Sequence, residues 1–142
     1  MNKSFLERAR AYFESMTPEA VARIDEIYAA DAYFKDPFNE VRGVAAIRRI
    51  FEHMFMQVGA PRFVVRETVA QGSDAFMTWD FLFRLPRLGD REQVVRGATH
   101  LKFGADGRIQ YHRDYWDVAE ELYEKLPVVG GLMRLLKKRA AS

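Results

Sequence analysis

No cysteine occurs anywhere in the chain, which excludes disulfides and thiolate chemistry and says little about compartment. Long hydrophobic runs are also missing. From Met1 to Met16 the apolar residues are interrupted by Lys3, Glu7, Arg8, Arg10 and Glu14, so the uninterrupted core of a signal peptide is not formed and a cytoplasmic protein is expected. A basic stripe is lacking as well. The formal charge is +2, and the tail residues Arg134, Lys137, Lys138 and Arg139 more than account for it, leaving the remainder at −2. Positive charge gathered at one terminus is not the footprint of a nucleic-acid protein. No glycine-rich loop follows a strand and opens a helix, so no nucleotide cofactor is implied, and no close His-x-His or His-x-x-x-His spacing points to a metal.

What the chain does contain is enough for one domain spanning residues 1–142, able to wrap a small cavity. Its 49% apolar and 30% charged residues are those of an ordinary globule. The first third reads as helical. Phe5, Leu6, Ala9, Tyr12, Phe13 and Met16 recur at three- and four-residue spacings. Thr17-Pro18 is a cap followed by a proline at the first helical position, which predicts a second helix from Pro18 to about Ala30 with Val21, Ile24, Ile27 and Tyr28 as its stripe. Ala32 to Phe38 suits a brief strand stopped by Pro37. Gly43 opens a third helix with a broad face of Val44, Ile47, Ile50, Phe51, Met54, Phe55 and Val58, ended by Gly59 and Pro61; His53 lies on its flank.

The second half changes to a strand period. Arg62–Ala70, Ala75–Leu85, Gln93–Phe103 and Arg108–Asp117 are rich in Val, Phe, Thr, Tyr and Trp. Gly72-Ser73-Asp74, the stretch from Pro86 to Glu92 and Ala105-Asp106-Gly107 separate them. Three helices followed by an antiparallel meander predict an α+β domain, the helices covering the concave side of a curved sheet. At the C-terminus, Asp117–Leu126 reads as helical, Pro127 as a break, and residues 130–139 as a short basic amphipathic helix. Such a helix can close a pocket, pack on a second subunit or touch a membrane surface, the last being the least favoured.

The stretch richest in chemistry is His112-Arg113-Asp114-Tyr115-Trp116-Asp117, on the last strand. A three-residue turn ending at Gly107 sets Gly104 opposite Arg108, and counting on places His112 opposite His100 and Asp114 opposite Ala98. With Asp80 beside Ala98, one face then holds Thr78, Asp80, Leu82, Arg96, His100, His112, Asp114 and Trp116. The other holds Met77, Trp79, Phe81, Phe83, Val95, Leu101, Tyr111 and Tyr115. Periodicity alone makes the apolar face the core. Against that stand the cost of exposing Trp116 and Leu82 and the concentration of carboxylate, imidazole and guanidinium groups, which suit a polar pocket for proton transfer with the apolar face left for a dimer; pattern alone leaves both choices open.

The order helix-helix-strand-helix-meander, with Tyr33-Phe34-Lys35-Asp36-Pro37, Arg42-Gly43-Val44-Ala45-Ala46-Ile47 and the stretch from His112 to Asp117, resembles the nuclear-transport-factor-two-like superfamily over about residues 5–125. It is most similar to the SnoaL-like branch, alongside polyketide cyclases, ketosteroid isomerases and limonene epoxide hydrolase. The resemblance implies a conical half-barrel with a pocket, and matches Asp114 to the final-strand aspartate of the hydrolase's acid-base constellation. The hydrolase's second aspartate falls on Asp80, and its arginine falls on Thr78, a departure that speaks against epoxide hydrolysis; Arg96 on the neighbouring strand is a candidate for the missing charge, a substitution the family pattern does not itself supply. The expected site is therefore Asp114, His112, His100 and Asp80 for proton transfer, with Tyr33, Asp36, Phe38, Arg96 and Trp116 around a small apolar organic ligand. Asp36 reads equally as a turn aspartate before proline. Cofactor-free isomerisation, cyclisation or dehydration by a homodimer is the leading expectation, and a binding or protein-interaction module without turnover is the alternative.

Overall fold

The structure, a computed structural model, describes residues 2–85, 89, 91–122 and 129–141. Helix α1 (Asn2–Glu14) turns Leu6, Ala9 and Phe13 inward at the spacing expected of one helical face. Helix α2 (Pro18–Ala22) starts where the sequence says it should: the Thr17 hydroxyl accepts the Ala20 amide at 3.1 Å. It ends much earlier than expected. A single 3₁₀ turn at Ile24–Glu26 follows, and Tyr28 already belongs to strand β1 (Tyr28–Lys35). The alanines of this segment favour a helix, but its backbone is claimed by two neighbouring strands, β2 (Glu40–Arg42) and β6 (Ile109–Tyr115), and sheet pairing overrides the local preference.

Helix α3 (Val44–Gln57) runs from Gly43, whose φ of 105° suits glycine, and buries Ile47 and Phe51. The meander is β3 (Gly59–Gln71), β4 (Asp74–Arg84), β5 (Glu92–Phe103) and β6. Together with β1 and β2 it forms a six-stranded curved sheet in the order β2-β1-β6-β5-β4-β3, antiparallel except where β1 meets β6. The three N-terminal helices cover its concave face. Helix α4 (Val118–Glu121) follows β6, capped by the Asp117 carboxylate on the Glu120 amide at 3.1 Å, and α5 (Val129–Ala140) ends the described chain. The expected break at Pro127, residues 123–126 of the expected helix from 117 to 126, and most of the Pro86–Glu92 loop lie outside the described residues.

Two β-bulges set which side chains face the helices. Between Val65 and Glu67 the pairing with β4 slips by one residue, and the Val65 amide turns to the Glu14 carboxylate of α1 at 3.0 Å. In β6 the expected register holds at the turn, with Phe103 opposite Ile109, and then Gln110 is extra. From there Lys102 pairs with Tyr111, Leu101 with His112 and Thr99 with Asp114. Because side chains alternate, this one-residue insertion moves His112 and Asp114 to the concave face and Tyr111, Arg113 and Tyr115 to the convex one. The pocket-or-core alternative posed by the sequence is thereby corrected. The apolar face of Met77, Trp79, Phe81, Phe83, Val95 and Leu101 is the covered one, as periodicity prefers, and His112 and Asp114 join it.

Gly97 shows how closely this face is packed. It pairs with Trp79, and a Cβ placed on it would overlap the indole, approaching Cζ2 to 2.6 Å. The ring cannot swing away freely, because its Nε1 donates to the Thr99 hydroxyl at 2.7 Å. Gly97→Ala should therefore cost about 1–3 kcal/mol, the range of overpacked cores, read as a lower urea midpoint at unchanged slope. An unchanged midpoint would show that the ring has room to yield.

Candidate active site

The site grows from β6. Tyr28, fully buried, reaches His112 Nδ1 through its hydroxyl at 2.7 Å. Burial holds the Tyr28 phenol well above its ordinary pKa of 10.0, so it keeps its proton and donates it to Nδ1. The proton of a neutral His112 ring must then sit on Nε2, which lies 2.7 Å from Asp114 Oδ1. A second chain converges on the same oxygen: Trp79 Nε1 donates to Thr99 Oγ1, and Thr99 donates to Asp114 Oδ1 at 2.6 Å. Both chains thus end on one carboxylate oxygen, and no hydrogen bond falls on Oδ2 among the described residues. His112 is 3% exposed and packs its ring 4.5 Å from that of Phe34.

Asp114 stands in the wall of a cavity of about 620 Å³, a size typical of small-molecule sites. Its lining is mainly apolar and rich in aromatic rings, including Phe34, Phe63, Trp79, Phe81 and Trp116. Polar side chains from Asp36, Asn39, His53 and Gln57 also reach it. Below it a void of about 20 Å³, room for one water molecule, touches Thr99, His112 and Asp114. The chain has two tryptophans, and both line this cavity.

The buried phenols carry a pH signature. Tyr12, whose hydroxyl donates to the Ala20 carbonyl at 2.7 Å, is pushed up to about 12, chiefly by burial, and burial likewise holds Tyr28 well above its ordinary value. A phenol whose folded pKa exceeds its unfolded value stabilises the fold fully below pH 10 and loses that contribution as pH climbs through the folded value. The urea midpoint should fall from about pH 10 upward, and the fall should shrink in a Tyr12→Phe/Tyr28→Phe double variant. An identical alkaline slope in both proteins would place the loss elsewhere.

The expected residues separate into two groups. Asp114, His112, Trp116, Phe38 and Asp36 come to the cavity side. Phe38 and Trp116 meet edge to face at 5.7 Å, and Phe38 is 60% exposed. The Asp36 carboxylate is occupied in its own turn, accepting the Phe38 and Asn39 amides at 2.8 and 2.7 Å. His100, Asp80, Arg96 and Tyr33 lie on the convex face, where the Gln110 bulge separates them from Asp114. His100 there bonds Asp74 at 2.7 Å and stacks on Phe76. Asp80 takes two bonds from Arg66, and Arg96 grips the buried Glu121 of α4 through its backbone amide and its guanidinium. Tyr33 donates to Glu40 and stacks on Tyr111. With the two histidines on opposite faces, a shared proton or a shared metal between them is ruled out.

Three members of the network escape a reading of the sequence. Tyr28 looks like the end of a helical stripe, Trp79 like an ordinary strand aromatic, and Thr99 carries no signal until its cross-strand partner is known to be Asp114. Only a correct register could have found them.

Solved structures share this architecture. An LEH-like epoxide hydrolase from M. tuberculosis is 18% identical, with 96% of this chain and 97% of that one covered and a TM-score of 0.71. An NTF2-like protein of unknown function from Burkholderia pseudomallei K96243 is 14% identical over 84% of this chain and 92% of its own, at a TM-score of 0.70. A protein with a ketosteroid isomerase-like fold from Catenulispora acidiphila DSM 44928 is 16% identical over 83% and 88%, at 0.68. At these identities the likeness is one of fold. No curated protein is significantly similar in sequence. The family model of the SnoaL-like domain matches residues 9–112, from the buried face of α1 to the histidine that holds Asp114, and the chain belongs to that family.

Proposed function

We propose that the chain is a cofactor-free acid-base enzyme of the isomerase, cyclase or dehydratase type, acting on an apolar organic molecule held in the aromatic cavity. One observation carries this reading: a carboxylate in the wall of that cavity, oriented by two buried hydrogen-bond chains that both end on Oδ1. With Oδ1 occupied by His112 and Thr99, a proton is received and returned at Oδ2. A substrate carbon made acidic by a neighbouring carbonyl gives its proton to Oδ2, and the electron pair left behind moves into the carbonyl oxygen. Where a carbon–carbon double bond is conjugated with the enolate so formed, return of the proton to the far carbon of that bond, as the electron pair flows back from oxygen, completes an isomerisation. Apolar walls keep bulk water from quenching the carbanion equivalent, and the buried donors prevent the carboxylate from rotating.

The test uses the protein's own reporters. Polycyclic ketones and phenols entering the cavity should quench Trp79 and Trp116 fluorescence, and those with an activated C–H should take up deuterium from D2O in the presence of the protein, read by NMR. Asp114→Asn should stop the exchange while leaving the quenching in place. Ligands that bind without exchange, or exchange that survives the substitution, would identify a binding module instead.

A further inference from the structure

Helix α5 divides its chemistry between two faces. At 100° per residue, Leu132, Leu135 and Leu136 fall within one sector of roughly 100°, and Arg134, Lys137 and Lys138 lie across the axis from it. The three leucines are 54%, 48% and 52% exposed, so this apolar stripe lies on the outside of the molecule. Arg139, in the last turn, is a fourth cation and falls at the end of the leucine sector; the helix has no acidic residue, and the rest of the chain is net negative. Lys137 Nζ, 3.8 Å from a Glu120 oxygen, ties the helix beside α4.

Half-exposed leucines on a helix whose opposite face is cationic have two needs, and a bilayer interface satisfies both. The leucines enter the boundary between headgroups and acyl chains, and the lysines and arginines meet lipid phosphates. Charge decides among coverings. A second copy of α5 laid on the stripe would bury Arg139 in the seam and gather eight cations around one pair of helices with no acidic residue between them, whereas an anionic lipid surface attracts each cation. The geometry is interfacial. Twelve residues of helix reach about 18 Å, short of a hydrocarbon core of about 30 Å, and no helix among the described residues is long and apolar enough to cross a membrane. We propose that α5 is an interfacial helix that docks this protein on anionic lipid surfaces, independently of what the cavity does.

Flotation of the full chain with two kinds of vesicle tests this: phosphatidylcholine alone, and phosphatidylcholine with roughly 30 mol% phosphatidylglycerol. Partitioning should be at least about tenfold stronger onto the anionic vesicles and should weaken with added salt. The variant Leu132→Ser/Leu135→Ser/Leu136→Ser should lose most of it with unchanged circular dichroism. If that variant folds poorly, Lys138→Glu/Arg139→Glu should give the same loss. Absence of binding, equal binding to both vesicles, or binding that survives both variants overturns the proposal. So does lipid-free self-association that the leucine variant abolishes without any vesicle binding, which would assign the stripe to a second copy.

Discussion

Asp114→Asn is expected to lower turnover by about 10²–10⁴-fold, the contribution usual for a positioned general acid or base. The substitution is a clean one because asparagine keeps the shape of the side chain and an amide oxygen that can still accept from His112 and Thr99. What changes is the second atom: Oδ2 becomes an NH2 group, which cannot take a proton from carbon. Occupancy of the cavity depends mainly on aromatic surface and should change little, so the loss should appear in kcat rather than in KM. An equal fall in binding, with kcat kept, would make Asp114 a recognition group and remove the catalytic reading.

His112→Ala should destabilise the fold by about 3–5 kcal/mol. It removes a ring packed among Phe13, Tyr28 and Phe34, and leaves the fully buried Tyr28 hydroxyl without its partner. For a domain whose whole stability is of order 5–15 kcal/mol, that is a large share. Tyr28→Phe alone should cost about 1–3 kcal/mol, because His112 loses the donor to Nδ1 while the packing stays. The two effects should not add, since each removes the same hydrogen bond, and a double-mutant cycle in urea reads the coupling. Additive losses would show that the Tyr28–His112 bond contributes little. A His112→Ala variant as stable as the parent would mean that the network is dispensable to the fold.

Much of the fold is legible in the sequence. The stripe of Leu6, Ala9 and Phe13, the Thr17-Pro18 cap, the broad face of α3 and the four strand-forming runs each follow from local sterics and burial periodicity, and each element stands close to where those signals put it. The family resemblance, carried by the three quoted stretches, leads to the same architecture and to Asp114 as the residue to watch. The failures are also physical. Tyr28 to Ala30 looks helical because propensity is local, whereas their strand conformation depends on partners eighty residues away in the chain.

Residue types and their periods determined that this chain makes helices and then a meander, that one sheet face is apolar, and that the acid-base side-chain chemistry of His and Asp gathers near residue 114. Tertiary structure decided which face that chemistry joins. A single extra residue at Gln110 inverts every side chain after it, and such a bulge is set by the fit between strands rather than by any one residue's preference. It places His112 and Asp114 with Thr99, Trp79 and Tyr28 on the concave face, and leaves His100, Asp80 and Arg96 on the convex face.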